Sequence, residues 1–592
     1  MESLSRREVI ASLGAGAGVV ALSSTISQPA NAQVAIDISK DSKLFPTPPI
    51  ERGATPDEPT FAVRVLNKAA YGPALGDLAA FEELGSNEDA RLVAWVNQQL
   101  DPGMLDLEVD LRLSDLMAAG QPYDTVEKTG PELWADHVRA DDYPVFTRPR
   151  EQSQRLMLLR GAYSQWQLRE MLADFWHNHF NVDIDRRRET RGYFPAWDKD
   201  IREHMFGNFL QMLRNTTRNA AMLYYLDNAF NTWPNPNENY AREVLELHTL
   251  GALENFFGAV DPETEVGVNI MGQRAGYTEI DVFQFAKALT GWGVADGRFD
   301  DTLDDGSFLF RPDKHYNFSE GPIKVMDIEI TSSDSDGEND VEVILEYLAQ
   351  HYGTARFIAT KLCRRLVGDN VPESLIASTA DEFWNRRDDS NQLREVYRHV
   401  LLSEEFKNTW GDKARRPTEA LLRAWRAVDI DFTPRHEQEG ISGGILGRLE
   451  QAGHRPFEME PPTGYPDFKA FWQGTGTMVF TWRTITYLLT RNNTDDIGIN
   501  LAQKTNDMLT TPAQRTPHNV VDNWMQLALG FTLSTPTFSK VAQFLAQIAE
   551  VGVDETLDNS MDTTNTSSGG EYNRVLRATV GLIVMLPVGQ QR

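Results

Sequence analysis

The chain of 592 residues contains one cysteine, Cys363. An internal disulfide is therefore impossible, and so is a haem attached through a CxxCH pair. Stability must come from packing, which a chain of this length can supply. Basic residues are also short, with 57 Lys and Arg against 86 Asp and Glu and a formal net charge of −29. Such a balance repels nucleic acid and anionic membrane surfaces. No apolar run beyond the N-terminal segment reaches the roughly 18–20 residues that span a bilayer. The common catalytic signatures are missing as well: there is no HExxH, no GxSxG, no GxxxxGK[ST] loop and no dinucleotide glycine fingerprint on a strand. Cys363 lies in an apolar, arginine-flanked helical pattern and reads as a buried structural thiol, not a nucleophile. Familiar hydrolases, kinases and dehydrogenases find no support here.

What is present begins with Ser5-Arg6-Arg7-Glu8, followed by a mildly apolar stretch from Ala11 to Ile26 and by Ala30-Asn31-Ala32. The order of charge, apolar core and small residues predicts a twin-arginine signal peptide over 1–32, with mature protein from Gln33 in the periplasm or outside the cell. Residues 33–58 are polar, carry four prolines and read as a tether. From Thr60 onward, apolar spacing of three to four residues predicts helices over Phe61–Ala70, Leu75–Leu84, Arg91–Leu100, Asp106–Ala119, Ile201–Asn215 and Val341–Ala349. Only Phe308–Phe310 and Ile323–Ile330 suggest a strand pair. The expected fold is mainly α: one large irregular multi-helical body over 59–592 with at most a small β-hairpin. Within it, Thr/Asn/Ser/Asp-rich residues near 554–570 read as a mobile loop ahead of a last helix.

Two acidic runs invite a calcium reading. Asp334 to Asp340 has Gly337 at the position of a calcium loop's glycine, but Val343 stands where the closing glutamate would be. Asn339 or Asp340 is the expected cap of the helix that follows. The rest of that run reads as solvated loop; the other run, Asp300 to Asp305, has Gly306 behind it.

The chemistry concentrates in two stretches. Asn237-Glu238-Asn239-Tyr240-Ala241-Arg242-Glu243-Val244-Leu245-Glu246-Leu247-His248-Thr249-Leu250-Gly251 opens after Pro234 and Pro236 and closes at a glycine, as helices do. On an ideal α-helix Asn239, Glu243 and Glu246 share one face, and Glu238 and His248 lie opposite. The second stretch, Trp176-His177-Asn178-His179-Phe180, ends a helix whose apolar stripe includes His179. His177 sits roughly 160° away, so both imidazoles serve one site only if the chain turns there. His177, His179 and Glu243 are ligand types for a divalent metal such as zinc, manganese or iron, with His179 and Glu243 foremost. Glu243, Glu246 and His248 are equally candidates for acid–base catalysis, with Glu238, Asn239 and His315 as further candidates. A purely structural reading also stands, in which Arg242 pairs with Glu238 or Glu246 and the histidines are hydrogen-bonded core groups.

WHNHF, NENYARE-x-LELHTLG and the following GYTEIDVFQFAKALTGW together resemble the exported bacterial family called domain of unknown function 1800. The resemblance extends from Val65-Leu66-Asn67 through Lys314-His315-Tyr316-Asn317-Phe318, Arg356–Leu366 and Arg416-Pro417-Thr418-Glu419 to Pro461-Pro462-Thr463-Gly464-Tyr465-Pro466-Asp467. It implies export but names no reaction. It also implies a partner, an exported family called domain of unknown function 1501 that looks like phosphatases and sulfatases. Two functions remain open. One is a metal-assisted or acid–base enzyme acting on an extracytoplasmic polymer or envelope component. The other is a non-catalytic assembly or surface-binding protein with Trp233, Trp292 and Trp472 lining a groove.

Overall fold

Helices in the computed structural model begin and end where local chemistry directs, and their apolar stripes turn inward. The structure describes residues 59–592 apart from 104, 301, 333–336, 436–439, 491–496 and 568. The expected signal peptide, the tether over 33–58 and the first three residues of the Asp334 run lie outside these residues. Pro59–Arg592 packs as one unit, and its architecture is mainly α, as the apolar periodicity indicates. Observed helices include Phe61–Ala69, Asp77–Glu83, Glu88–Leu100 and Leu107–Ala118, each within a few residues of its expected bounds.

One expected helix is two. The pattern over Ile201–Asn215 is divided between Arg188–His204 and Phe209–Arg218. Gly207 closes the first by donating to the His204 carbonyl, and the Asn208 side chain caps the second by accepting from the Leu210 amide. A second correction concerns capping. The helix Glu338–Ala349 starts from Gly337 in the left-handed region (φ 56°), so Asn339 and Asp340 lie inside its first turn. Asp340 is needed elsewhere.

Among the described residues strands are confined to three antiparallel pairs, more than the single hairpin expected. Ile323–Val325 pairs with Ile328–Ile330 as a hairpin, whereas Phe308–Phe310 pairs with Trp292–Val294. The third pair joins Asp431–Phe432 to Ile497–Gly498. The loop before the last helix, Glu571–Met585, is held by buried Leu557 and by the Arg515–Asp558 ion pair at 3.1 Å. Among the described residues no helix is long and apolar enough to cross a membrane.

Apolar burial gathers in two large clusters. The first includes Trp176, Phe194, Trp197, Tyr240, Leu245 and Tyr277, and the second Leu158, Leu421, Trp425, Leu488, Trp524 and Leu576. Each fully buried side chain of this size stabilises the fold by about 1.5–3 kcal/mol. The helix Gln167–His179 gives Leu172 and Trp176 to the first cluster and Met171 to the second. Its polar residues are consequently held in the middle of the body.

Candidate functional site

Gln167–His179 stays helical to its last residue, with Phe180 at its C-cap. The two imidazoles of the WHNHF stretch therefore diverge, and the turn on which their serving one site depended is not made. His177 Nε2 lies 2.8 Å from Asp198 Oδ1, and its ring stacks on Phe194 at 5.6 Å between centroids. His179 points the other way. Its Nε2 lies 3.1 Å from the His248 carbonyl and its Nδ1 2.9 Å from Lys361 Nζ. A carbonyl only accepts, so the Nε2 proton donates to His248 and Nδ1 accepts from the lysine.

The second stretch meets the first here, with the His179 and His248 ring centroids 6.3 Å apart. Asn237 starts its helix by accepting from the Asn239 amide, and α-geometry lasts over Glu238–Glu243. Val244–Thr249 then widens into a π-turn, marked by the Leu250 amide donating five residues back to Leu245. The assignment of His248 to a face by ideal α-spacing fails at this turn, because one extra residue per turn rotates everything after it. Such turns recur at functional sites. Glu243 and His248 are buried at 0% and 2% exposure, and Glu246 at 8%. Gly251 ends the segment at φ 81°, where a Cβ would meet the Phe357 ring at 2.6 Å. Only glycine lets that ring pack beside His179, 6.1 Å away.

Electrostatics follow from this burial. Desolvation, then Lys361, brings the His248 imidazole down to about 3. The same causes, with His248 adding to them, hold His179 well below its ordinary value. Burial lowers the Lys361 ammonium to about 7, opposed by Asp467 and reinforced by Arg364 and Arg416. Burial and the Glu246 charge raise the Tyr277 phenol, with Glu243 contributing further along.

A third stretch closes the site. Asn178 Nδ2 donates to the Tyr465 carbonyl at 2.9 Å and its Oδ1 accepts from the Tyr465 amide at 2.6 Å. Asn181 Nδ2 donates to the carbonyls of Met459 and Pro461 at 2.8 and 3.0 Å. These amides dock the Pro461–Asp467 segment on the WHNHF helix. Burial would raise the Asp467 carboxyl, but Lys413, Arg416 and Arg365 hold it far below the carboxylate range. Arg365 also reaches Glu419 at 2.6 Å and Asp174 at 2.9 Å. His179 and His248 thus form a buried floor, and half-buried Lys361, Asn178, Tyr465 and Asp467 form its edge.

Other candidates lie elsewhere. His315 is 3.0 Å from Asp340 and 2.8 Å from the Thr290 carbonyl, a separate buried pair. Glu238 pairs with Arg242 at 3.1 Å, which also binds Glu279 at 2.7 Å, and Asn239 donates to the Leu226 carbonyl. Trp292 and Trp472 are buried at 0% and 3% exposure, so the groove they were expected to line with Trp233 is not formed. Among the described residues no group of three or more His, Cys, Asp and Glu side chains is arranged to hold a metal. Sequence reading missed Lys361, Asp467 and Asp198. The first two lie in segments that carry the family resemblance, but nothing local marked them as partners of a histidine.

No curated protein and no solved structure matches the chain. A family described as protein of unknown function DUF1800 matches residues 64–587. That span contains all three stretches that build the site and nearly all the packed body, so the chain belongs to this family.

Proposed function

We propose that the chain is an exported enzyme that performs acid–base catalysis on an extracytoplasmic polymer or envelope component, with Lys361 as its exchangeable group. One observation carries this reading: a half-buried amine lowered to about 7 lies 2.9 Å from a neutral imidazole at the edge of the motif cluster. A group that titrates near the working pH is present in both protonation states and can give or take a proton. His248 at about 3 is neutral at pH 7, so the acid's role passes to Lys361. His179 accepts the lysine's hydrogen bond and positions it. Buried Glu243 and Glu246 supply carboxylates on the adjoining turn. Export rests on Ser5-Arg6-Arg7 and Ala30-Asn31-Ala32. The test is fragment release from isolated cell-envelope polymers, read by mass spectrometry. Wild type should release products that Lys361→Met, folded to the same melting temperature, does not. Equal release by both proteins, or none by either, would count against the reading. Zinc, manganese or iron at His179 would require Lys361 to leave Nδ1, and elemental analysis of untagged protein measures that alternative.

A second reading, an assembly protein working with a co-encoded exported partner of the phosphatase- and sulfatase-like family, is favoured by a different observation. The excursion between the second stretch and Glu279–Ala288 exposes Leu253 at 65%, Val268 at 71% and Ile270 at 78%. Exposed apolar side chains concentrated in one excursion suit a protein partner. Co-purification of that partner with wild type but not with Ile270→Asp is the expected result. Indifference to the substitution would remove the support.

A further inference from the structure

A pocket that the acid–base site does not use is lined, from the WHNHF helix, by Arg169 in its first turn. It has a volume of about 690 Å³ and lies among Leu107–Ala118, Tyr143–Tyr163, Gln167–His179 and Arg188–His204. This is within the ordinary size of small-ligand sites. Its floor is an alternating row of charges. Asp198 binds Arg160 at 3.0 Å and Arg202 at 2.9 Å, Glu170 binds Arg202 at 2.9 Å and Arg169 at 3.0 Å, and Asp106 binds Arg169 at 2.7 Å. His177 ties the row to the WHNHF stretch through Asp198.

Three cations and three carboxylates cancel in that row, yet the donors are not used up. Among the described residues Arg160 is bonded only through Nη1, Arg169 through Nε and Nη2, and Arg202 through Nε and Nη1. Each guanidinium keeps N–H groups for a ligand. Around the mouth stand Asp110, Glu127 and Glu203, with Lys199 as the one cation among the lining residues there. A ligand anion meets this negative rim, and a ligand cation meets three guanidiniums at the floor. Neutral ligands escape both penalties. The remaining wall is apolar, with Leu113, Val126 and Phe206. A compound with hydroxyls on its edges and carbon on its face fits donors below, carboxylate acceptors at the rim and an apolar side.

We propose that this pocket binds a neutral saccharide, with Arg160, Arg169 and Arg202 donating to its hydroxyl oxygens and Leu113, Val126 and Phe206 taking its carbon face. Binding here does not depend on catalysis at Lys361, and it is measured without turnover.

The experiment is saturation-transfer NMR on the full chain with a panel of neutral tetrasaccharides (β-glucan, mannan and N-acetylglucosamine oligomers), with a uronate tetramer and inorganic phosphate as charged probes. At least one neutral oligomer should bind, and the charged probes should not. Val126→Trp fills the pocket without touching an ion pair and should weaken binding by roughly tenfold or more at unchanged melting temperature. Arg169→Gln, which removes a donor and leaves the apolar wall, should weaken it as well. No binding by any neutral oligomer, preference for the uronate or phosphate, or undiminished binding by both variants would overturn the proposal.

Discussion

The Nζ of Lys361 lies 2.9 Å from Nδ1 of His179, across 182 positions of sequence. That contact fixes where the imidazole keeps its proton, because Nδ1 must accept and Nε2 must donate to the His248 carbonyl. Nitrogen-15 NMR of the ring should show the neutral Nε2–H tautomer at pH 8 and still below the ordinary histidine midpoint of about 6.5. A ring that is cationic at pH 6, or that carries its proton on Nδ1, would contradict the arrangement.

Acid should weaken the fold before its carboxylates titrate. His137, His179, His248, His351 and His454 are all held below their ordinary value by burial. The unfolded chain binds protons at about pH 6.5 that the folded chain refuses, so this stabilisation is complete above that pH and is lost as pH falls toward the folded values. For His248 the window runs from about 6.5 down to about 3. Urea titrations at pH 7.5 and pH 5 should give a clearly lower unfolding free energy at pH 5. His248→Gln should flatten the dependence, whereas equal stability at the two pH values would exclude it.

Buried and exposed ion pairs should separate sharply on mutation. Arg365 and Glu419 are 1% and 2% exposed and 2.6 Å apart, so Glu419→Gln leaves a buried guanidinium short of its counter-charge. The expected loss is about 3–5 kcal/mol. Glu238→Gln removes a partner of Arg242 at the surface and should cost less than about 1 kcal/mol. Chemical denaturation of the two variants measures the contrast.

Gly464 has a left-handed φ of 72°, and a Cβ there would run into the Asn178 carbonyl oxygen. Gly464→Ala should therefore cost about 2 kcal/mol or more, combining the left-handed penalty with overpacking. Because Asn178 holds the loop through two hydrogen bonds, the variant should also speed amide exchange at Tyr465. Unchanged stability and exchange would show that the loop yields freely.

These features differ in how far they could be read ahead of the structure. Apolar spacing located Phe61–Ala69 and Glu88–Leu100 because burial of one helical face is written into local sequence. The stripe through Leu168, Leu172 and Trp176 likewise placed His179 inward, and the family resemblance directed attention to the two stretches that meet at His179 and His248. The π-turn at Val244–Thr249 left no such trace, since one added residue per turn is selected by packing and not by composition. Asp340 shows the same limit: beside an apolar helix it reads as a cap, and only the tertiary fold brings His315 to it. Lys361 is the plainest case. A lysine on an amphipathic helix is ordinarily a solvated group, and only burial against His179 and Asp467 makes it something else.

The charge state of Lys361 in the native protein tests the central claim most directly. Competitive acetylation with a trace of labelled acetic anhydride across pH 5–11, read residue by residue by mass spectrometry, gives the midpoint of each amine. For Lys361 the expected midpoint is about 7, with a shift back toward the ordinary range on unfolding in urea. A native midpoint near the ordinary lysine value of about 10.4 would contradict the account, because the amine would then be a permanent cation at neutral pH that neither gives up its proton nor accepts one.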